Sequence, residues 1–292
     1  MNRIKGILYA AVSSSTFGLA PFFSITLLLA GFSAFEVLSY RWGVALIVLI
    51  VFGWLSGCNF RLAGKDWGVV FLLSLLRAVT SFSLIIAYQN IASGVASTIH
   101  FMYPLAVALA MMFFFREKKS LLVILAVLMS LLGAALLSLG ELEAKSGNTM
   151  VGLVAACVSV FSYAGYIVGV RTTRAVQINS TALTCYVMGL GTIFYLIGAY
   201  CTSGLQLVSD GYTWLIILGL ALPATAISNI TLVQAIKYAG PTLTSILGAM
   251  EPLTAVVIGV FVFKELFTVN SAVGIILILL AVSIVVFRRQ KS

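Results

Sequence analysis

Charge is what this sequence has least of. Of its 292 residues only 9% are charged, against 62% apolar, and mean hydropathy is +1.16. A soluble domain carries roughly 25% charged residues, and a water-facing surface cannot be built from so few. Histidine is scarcer still. His100 is the single one and sits inside an apolar run, so no nucleophile–histidine–acid set exists and the chain is not expected to be an enzyme. Cys58, Cys157, Cys185 and Cys201 lack metal-ligand spacing and read as small packing residues. No Gly-x4-Gly-Lys-Ser/Thr loop occurs, so ATP drive within the chain is not expected, nor is any other cofactor or a metal.

What fills the chain instead is lipid-compatible helix. Ten apolar stretches cover 6–29, 34–55, 67–88, 93–115, 120–139, 149–170, 180–202, 212–234, 240–263 and 270–287. Crossing a hydrocarbon core takes about 20 apolar residues per helix. The runs are continuously apolar rather than alternating, which favours helices over a barrel. The fold class is therefore an all-α membrane protein. The first run is too long for a cleaved leader and lacks a small-x-small site.

The net charge of +9 is distributed by side rather than by patch. With the N-terminus in the cytoplasm, thirteen Lys and Arg side chains lie inside, among them Arg3, Lys5, Arg61, Arg116 and Arg171, against Lys145 and Lys264 outside. That bias places both termini in the cytoplasm of a cell (inner) membrane protein. A basic patch with exposed aromatic groups is missing, so no nucleic-acid partner is expected. The expected partners are the lipid bilayer, a small-molecule substrate and a second copy in a homodimer.

The second five stretches echo the first five. At an offset of 148 residues Pro104 falls on Pro252, Phe113 on Phe261, Phe115 on Phe263, Arg116 on Lys264 and Glu117 on Glu265. At 146, Gly6 falls on Gly152, Ala10 on Ala156, Phe17 on Tyr163 and Tyr40 on Tyr186. Five is odd, so the second half enters the membrane upside down. The expectation is two inverted five-helix repeats, residues 1–143 and 144–292. Such repeats place a substrate between the halves near the midplane and expose it alternately to either side.

Ala87-Tyr88, Tyr103-Pro104, the run to Phe115 and Arg116-Glu117 in the first half resemble the EamA domains of the drug/metabolite transporter superfamily. So do Ala235-Ile236, Glu251-Pro252, the run to Phe263, Lys264-Glu265 and Gly274 in the second. The resemblance covers the chain as two copies. It implies a ten-helix carrier, an exporter of small polar or amphipathic metabolites such as amino acids; import of a vitamin, nucleoside or other metabolite, and a non-transporting membrane scaffold, are the alternatives. Where the second half has Glu251 before its proline the first has Tyr103, so that acid belongs to one half only.

Ionisable groups inside the membrane are functional-site hypotheses by default. Arg77 and Glu251 each enter from the cytoplasmic side and reach about 15 Å deep, at about 1.5 Å per helical residue. They are expected to face a shared cavity and hold the charged ends of a solute; a permanent salt bridge between them is the alternative. His100 reads as a hydrogen-bonded packing residue or a proton carrier. Arg41, beyond Glu36, reads as locally paired or snorkelling. Thr16 with Ser162, Phe17 with Tyr163, and Tyr40 with Tyr186 are expected to line the cavity. Asn229 and Gln234 have neighbouring backbone or the substrate to bond. Pro104 and Pro252 interrupt corresponding spans and are the expected gating positions. The fifth and tenth spans, the least polar, are expected at the periphery.

Overall fold

A computed structural model of the chain describes residues 2–91, 93–117, 121–138, 147–202, 204–254, 257 and 268–288. Those residues are helical apart from short connections, with no strand among them. The first span consists of α1 (Asn2–Phe17) and α2 (Ala20–Leu29); α3 (Ala34–Leu55) is the second and α4 (Trp67–Asn90) the third. The fourth is split into α5 (Ser93–His100) and α6 (Tyr103–Phe113), and α7 (Leu121–Ser138) is the fifth. In the second half α8 (Thr149–Thr172) and α9 (Ser180–Cys201) are the sixth and seventh. The eighth comprises α10 (Gly211–Ala221), a π-helical turn (Leu222–Ile227) and α11 (Ser228–Ala239). The ninth opens with α12 (Pro241–Leu247), and the tenth is α13 (Val269–Arg288). Among the described residues seven helical stretches are long and apolar enough to cross a membrane, and shorter apolar helices cover 121–133 and 272–284.

Helix packing carries the inverted symmetry. The first span lies along the eighth and the third along the sixth, while second meets seventh, fourth meets ninth and fifth meets tenth. Exchanging the halves converts the first contact into the second and returns each of the others to itself. The caps follow the same rule. Ser33 closes a capping box with Glu36 at the start of α3, and its counterpart at an offset of 146, Asn179, caps α9 through Thr181 and Ala182. Asn148 caps α8 in the same way. Asp210 starts α10, its carboxylate held below the usual range by the Thr213 N–H at 2.7 Å.

Four spans are irregular, each beside a proline. The first breaks at Gly18–Leu19, the fourth at Phe101–Met102 and the ninth at Gly248–Ala249, ahead of Pro21, Pro104 and Pro252. Pro223 sits in the π turn of the eighth. Proline supplies no N–H and crowds the carbonyl four residues before it, so the helix yields just upstream. Gly240, at φ +87°, turns the chain from the eighth span into the ninth.

The molecule is apolar outside and encloses its membrane-depth charges within an apolar core. Leu29, Phe114 and Leu121 are fully outward, while Arg41, Arg77 and His100 are buried. The fifth and tenth spans pair with each other and present Leu121, Leu125, Leu132, Ile276 and Leu280 outward. Two boundaries move most: α1 begins at Asn2 rather than residue 6, and the eighth span runs to Ala239 rather than 234. Phe261, Phe263, Lys264, Glu265, Glu141, Glu143, Lys145, Lys118, Lys119, Arg289 and Lys291 lie outside the described residues.

The seam between the second and seventh spans depends on missing side chains. A Cβ on Gly191 would lie 2.0 Å from the Trp42 ring, and one on Gly198 2.3 Å from Phe35. The two glycines of α9 make room for the Trp42 and Phe35 rings of α3. Gly191→Ala is expected to cost about 1–3 kcal/mol through overpacking, read as a lower thermal unfolding midpoint of the detergent-solubilised protein.

Candidate substrate site

The two halves meet at an aromatic pair. Phe17 of α1 and Tyr163 of α8 are counterparts at an offset of 146 and stack on each other, centroids 6.5 Å apart with 19° between planes. The pseudo-two-fold axis passes between them. Arg77 of α4, 1% exposed, lies against both rings, its guanidinium carbon 5.3 Å from the Phe17 centroid and 5.0 Å from that of Tyr163. Tyr166 adds a third ring at 5.9 Å. Aromatic faces stabilise a cation more when water is excluded.

The irregular eighth span aims the cations. Arg77 Nε donates to Asn229 Oδ1 at 2.9 Å, and Asn229 Nδ2 donates to the Thr225 carbonyl at 2.7 Å. One turn earlier, in the π turn, Thr225 Oγ1 accepts from Arg41 Nε at 2.7 Å and donates to the Leu220 carbonyl. The Ala224 carbonyl accepts from Arg41 Nη2 at 3.4 Å. Wide turns of this kind free carbonyls that a regular helix would consume. Arg77 Nη1 is buried with no hydrogen-bond partner among the described residues.

Arg41 therefore corrects the sequence reading. It neither pairs with Glu36 nor reaches for the interface; it is 4% exposed and lies 5.5 Å from the Phe17 centroid. Glu36 is committed elsewhere, accepting the backbone N–H groups of Ser33 at 2.8 Å and Gln206 at 2.7 Å. The two residues are five apart, a spacing that does not share a helix face.

Glu251 lies within electrostatic reach of Arg77 and Arg41 but forms no ion pair with either among the described residues. The permanent salt bridge considered from sequence is thus not present as a direct contact. The Glu251 carbonyl packs against Gly18, where a Cβ would come within 2.6 Å. Tyr103, its counterpart at an offset of 148, is buried, stacks edge-on to Tyr163 at 4.6 Å and covers Gly248. His100 sits between Tyr103 and Tyr163, with Nδ1 at 2.8 Å from Ser159 Oγ and Nε2 unpartnered among the described residues. A tight cavity of ≈ 10 Å³, room for about a water molecule, is bounded by Phe17, Ser24, Arg41, Arg77, Thr80 and Tyr88.

The remaining expected residues divide. Ser162 is buried, bonding Thr80 Oγ1 at 3.0 Å across the third and sixth spans. Thr16 returns its hydroxyl to Val12 and Ser13 of its own helix. Pro104 and Pro252 begin the helical segments that follow the two breaks. Tyr40 and Tyr186 do not bound this cavity. Tyr40 donates to the Gln206 carbonyl in the loop after α9, and Tyr186 to the Phe60 carbonyl, at 2.5 Å, in the loop after α3. Residues 60 and 206 are themselves counterparts at an offset of 146. Trp67 and Trp214 meet the two tyrosines edge-on at 5.4 and 6.1 Å. The pair forms equivalent clasps at opposite ends of the bundle. Sequence reasoning missed Arg41, Thr225 and Tyr88; the proline beside Thr225 was the available signal for the π turn.

Inverted halves of membrane-length helices around a buried cationic centre define a multi-pass membrane protein. The EamA-like transporter family model matches residues 4–139 and 150–287, and the chain belongs to that family of membrane transporters. An "uncharacterized transporter" from Archaeoglobus fulgidus is 28% identical over 238 residues, 80% of this chain and 83% of its own length. A solved crystal structure shares the fold at a TM-score of 0.79 and 17% identity, covering 97% of this chain and 96% of the other.

Two outcomes are expected. Asn229→Ala leaves Arg77 Nε buried and unpaired and should cost about 1–3 kcal/mol, measured by thermal unfolding. Tyr40→Phe and Tyr186→Phe should each cost about 1 kcal/mol, and in the double variant the losses should add because the clasps share no partner.

Proposed function

We propose that the protein is a secondary carrier that moves small metabolites, amino acids or related organic compounds, out of the cytoplasm by alternating access. It would sit in the cell (inner) membrane with both termini cytoplasmic. The halves 1–143 and 144–292 rock against each other about the axis between Phe17 and Tyr163. The observation that carries this reading is Arg77: a buried cation against both the Phe17 and Tyr163 rings, with Nη1 unpartnered and Glu251 nearby without an ion pair, both among the described residues. A purely structural arginine in lipid would be fully satisfied, because a cation at that depth is costly.

In mechanism, Arg77 offers its fork to a carboxylate, which takes two parallel hydrogen bonds from a guanidinium. Glu251 is the acid available to an ammonium group. Phe17, Tyr163 and Tyr166 supply flat apolar walls. The breaks at Gly18–Leu19, Phe101–Met102 and Gly248–Ala249 are the places where half-helices bend without losing their packing. Near-equivalent halves give two arrangements of similar energy, one open to each side. The Tyr40 and Tyr186 clasps lie where the opposite ends would open in turn. With no nucleotide loop in the chain, a solute or proton gradient supplies the energy. The leucine-rich outer faces of α7 and α13 offer the surface for a homodimer.

Purified protein in proteoliposomes tests the reading. Flux of preloaded metabolites should appear with wild type. Arg77→Gln and Glu251→Gln should lose at least tenfold in rate while keeping wild-type chromatographic behaviour. Folded variants that transport at the wild-type rate would contradict the assignment.

A further inference from the structure

The centre carries more positive charge than negative. Arg41 and Arg77 bound the same cavity, repel each other, and both lie beside the Phe17 ring, their guanidinium carbons 5.5 and 5.3 Å from its centroid. Their protein partners are neutral oxygens: Thr225 Oγ1 and the Ala224 carbonyl for Arg41, Asn229 Oδ1 for Arg77. Guanidinium groups stay charged under any physiological condition. Glu251 is the acid that reaches both. The other acids among the described residues are engaged elsewhere: Glu36 holds Ser33 and Gln206, Asp66 pairs with Arg174 at 3.1 Å, Glu117 accepts from Thr242 at 2.6 Å, and Asp210 caps α10.

Among the described residues two cations and one acid leave a surplus positive charge in a tightly enclosed site, and an unpaired buried charge is strongly unfavourable. Aromatic faces and carbonyl dipoles offset part of that cost, but they carry no net charge. Something entering the cavity must supply the rest. A neutral zwitterion would not: its carboxylate and ammonium cancel, and the surplus would remain after loading.

We infer that the cargo is a small organic acid with two anionic groups and net negative charge, one group for each of Arg41 and Arg77. This rests on the carrier reading above and narrows its substrate class. Both guanidinium carbons lie within 5.5 Å of the Phe17 centroid, close enough together for the two ends of a short-chain diacid to reach one each. The full complement of the centre is two anionic groups and one ammonium, the pattern of an acidic amino acid. A diacid without an amine satisfies both arginines and leaves Glu251 to a proton or a second cation. Carboxylate, phosphonate and sulfonate are alike in the bidentate geometry that a guanidinium selects. Phe17 beneath both cations disfavours bulky polar substituents between the two acidic ends. The present cavity admits about a water molecule, so the cargo enters when the spans part.

The test is a competition flux assay in proteoliposomes with L-glutamate, succinate, L-leucine and L-lysine at equal concentration and fixed ionic strength, alongside thermal shifts of the purified protein. Glutamate or succinate should be transported at least tenfold faster than leucine or lysine and should be the compounds that raise the unfolding midpoint. Arg41→Gln should reduce the apparent affinity for the acids at least tenfold, and Arg41→Lys should recover part of it. Preferential transport of leucine or lysine, with the acids inert, would overturn the inference and leave the carrier reading standing. Transport of the acids unchanged by Arg41→Gln would overturn the role of the second cation. Absence of flux for every compound, with no thermal shift, would remove the carrier reading and this inference with it. The wild-type panel decides the substrate class even where Arg41→Gln does not fold.

Discussion

The architecture turns on holding two guanidinium groups where water is scarce. Hydrocarbon makes each charge expensive, and arginine cannot shed its proton to escape the cost. The chain's answer is to surround Arg41 and Arg77 with ring faces and to bend one helix into a ligand. The π turn at Leu222–Ile227 turns the Thr225 hydroxyl and the Ala224 carbonyl toward Arg41, and Asn229, one turn later, reaches Arg77. The irregularity of the eighth span is thus the condition for charge at the centre. Regular backbone there would leave Arg41 without the Ala224 carbonyl.

Symmetry organises the scaffold, and departures from it make the site. First and eighth spans are broken, whereas their counterparts, sixth and third, run as unbroken α8 and α4. Tyr103 stands where the other half has Glu251, and Phe17 where the other half has Tyr163. At an offset of 148 the position equivalent to Arg77 is Thr225, the residue that holds Arg41. A perfectly two-fold pocket could not orient a solute whose ends differ. The periphery has no such demand, and there the symmetry persists: Ser33 and Asn179 as caps, Tyr40 and Tyr186 as clasps, Trp67 and Trp214 as their ring partners.

Long apolar runs and a five-plus-five echo made the spans and the inversion legible, because hydrocarbon thickness and an odd helix count leave few alternatives. Arg77 was legible as a buried charge for a similar reason, that a charge near the midplane needs a purpose; Glu251, read by the same rule, lies near it but does not bound the cavity. Arg41 was misread because its neighbour Glu36 suggested a local pair, although a five-residue spacing turns the two side chains to different faces. Tyr40 and Tyr186 were recognisable as equivalents, but their roles depended on which loop each helix end meets, which no local pattern encodes. Pro223 signalled a distortion, while its form, a π turn presenting Thr225, depended on packing against α3.

Alternating access requires that the centre be reached from both sides of the membrane. Cysteine introduced at Ser24, which bounds the cavity beside both arginines, in a background without the four native cysteines, can be challenged with an impermeant maleimide from one face at a time. Labelling from either face, blocked by a transported solute, is the predicted result. Protection from both faces, or labelling from one face under every condition, would contradict it.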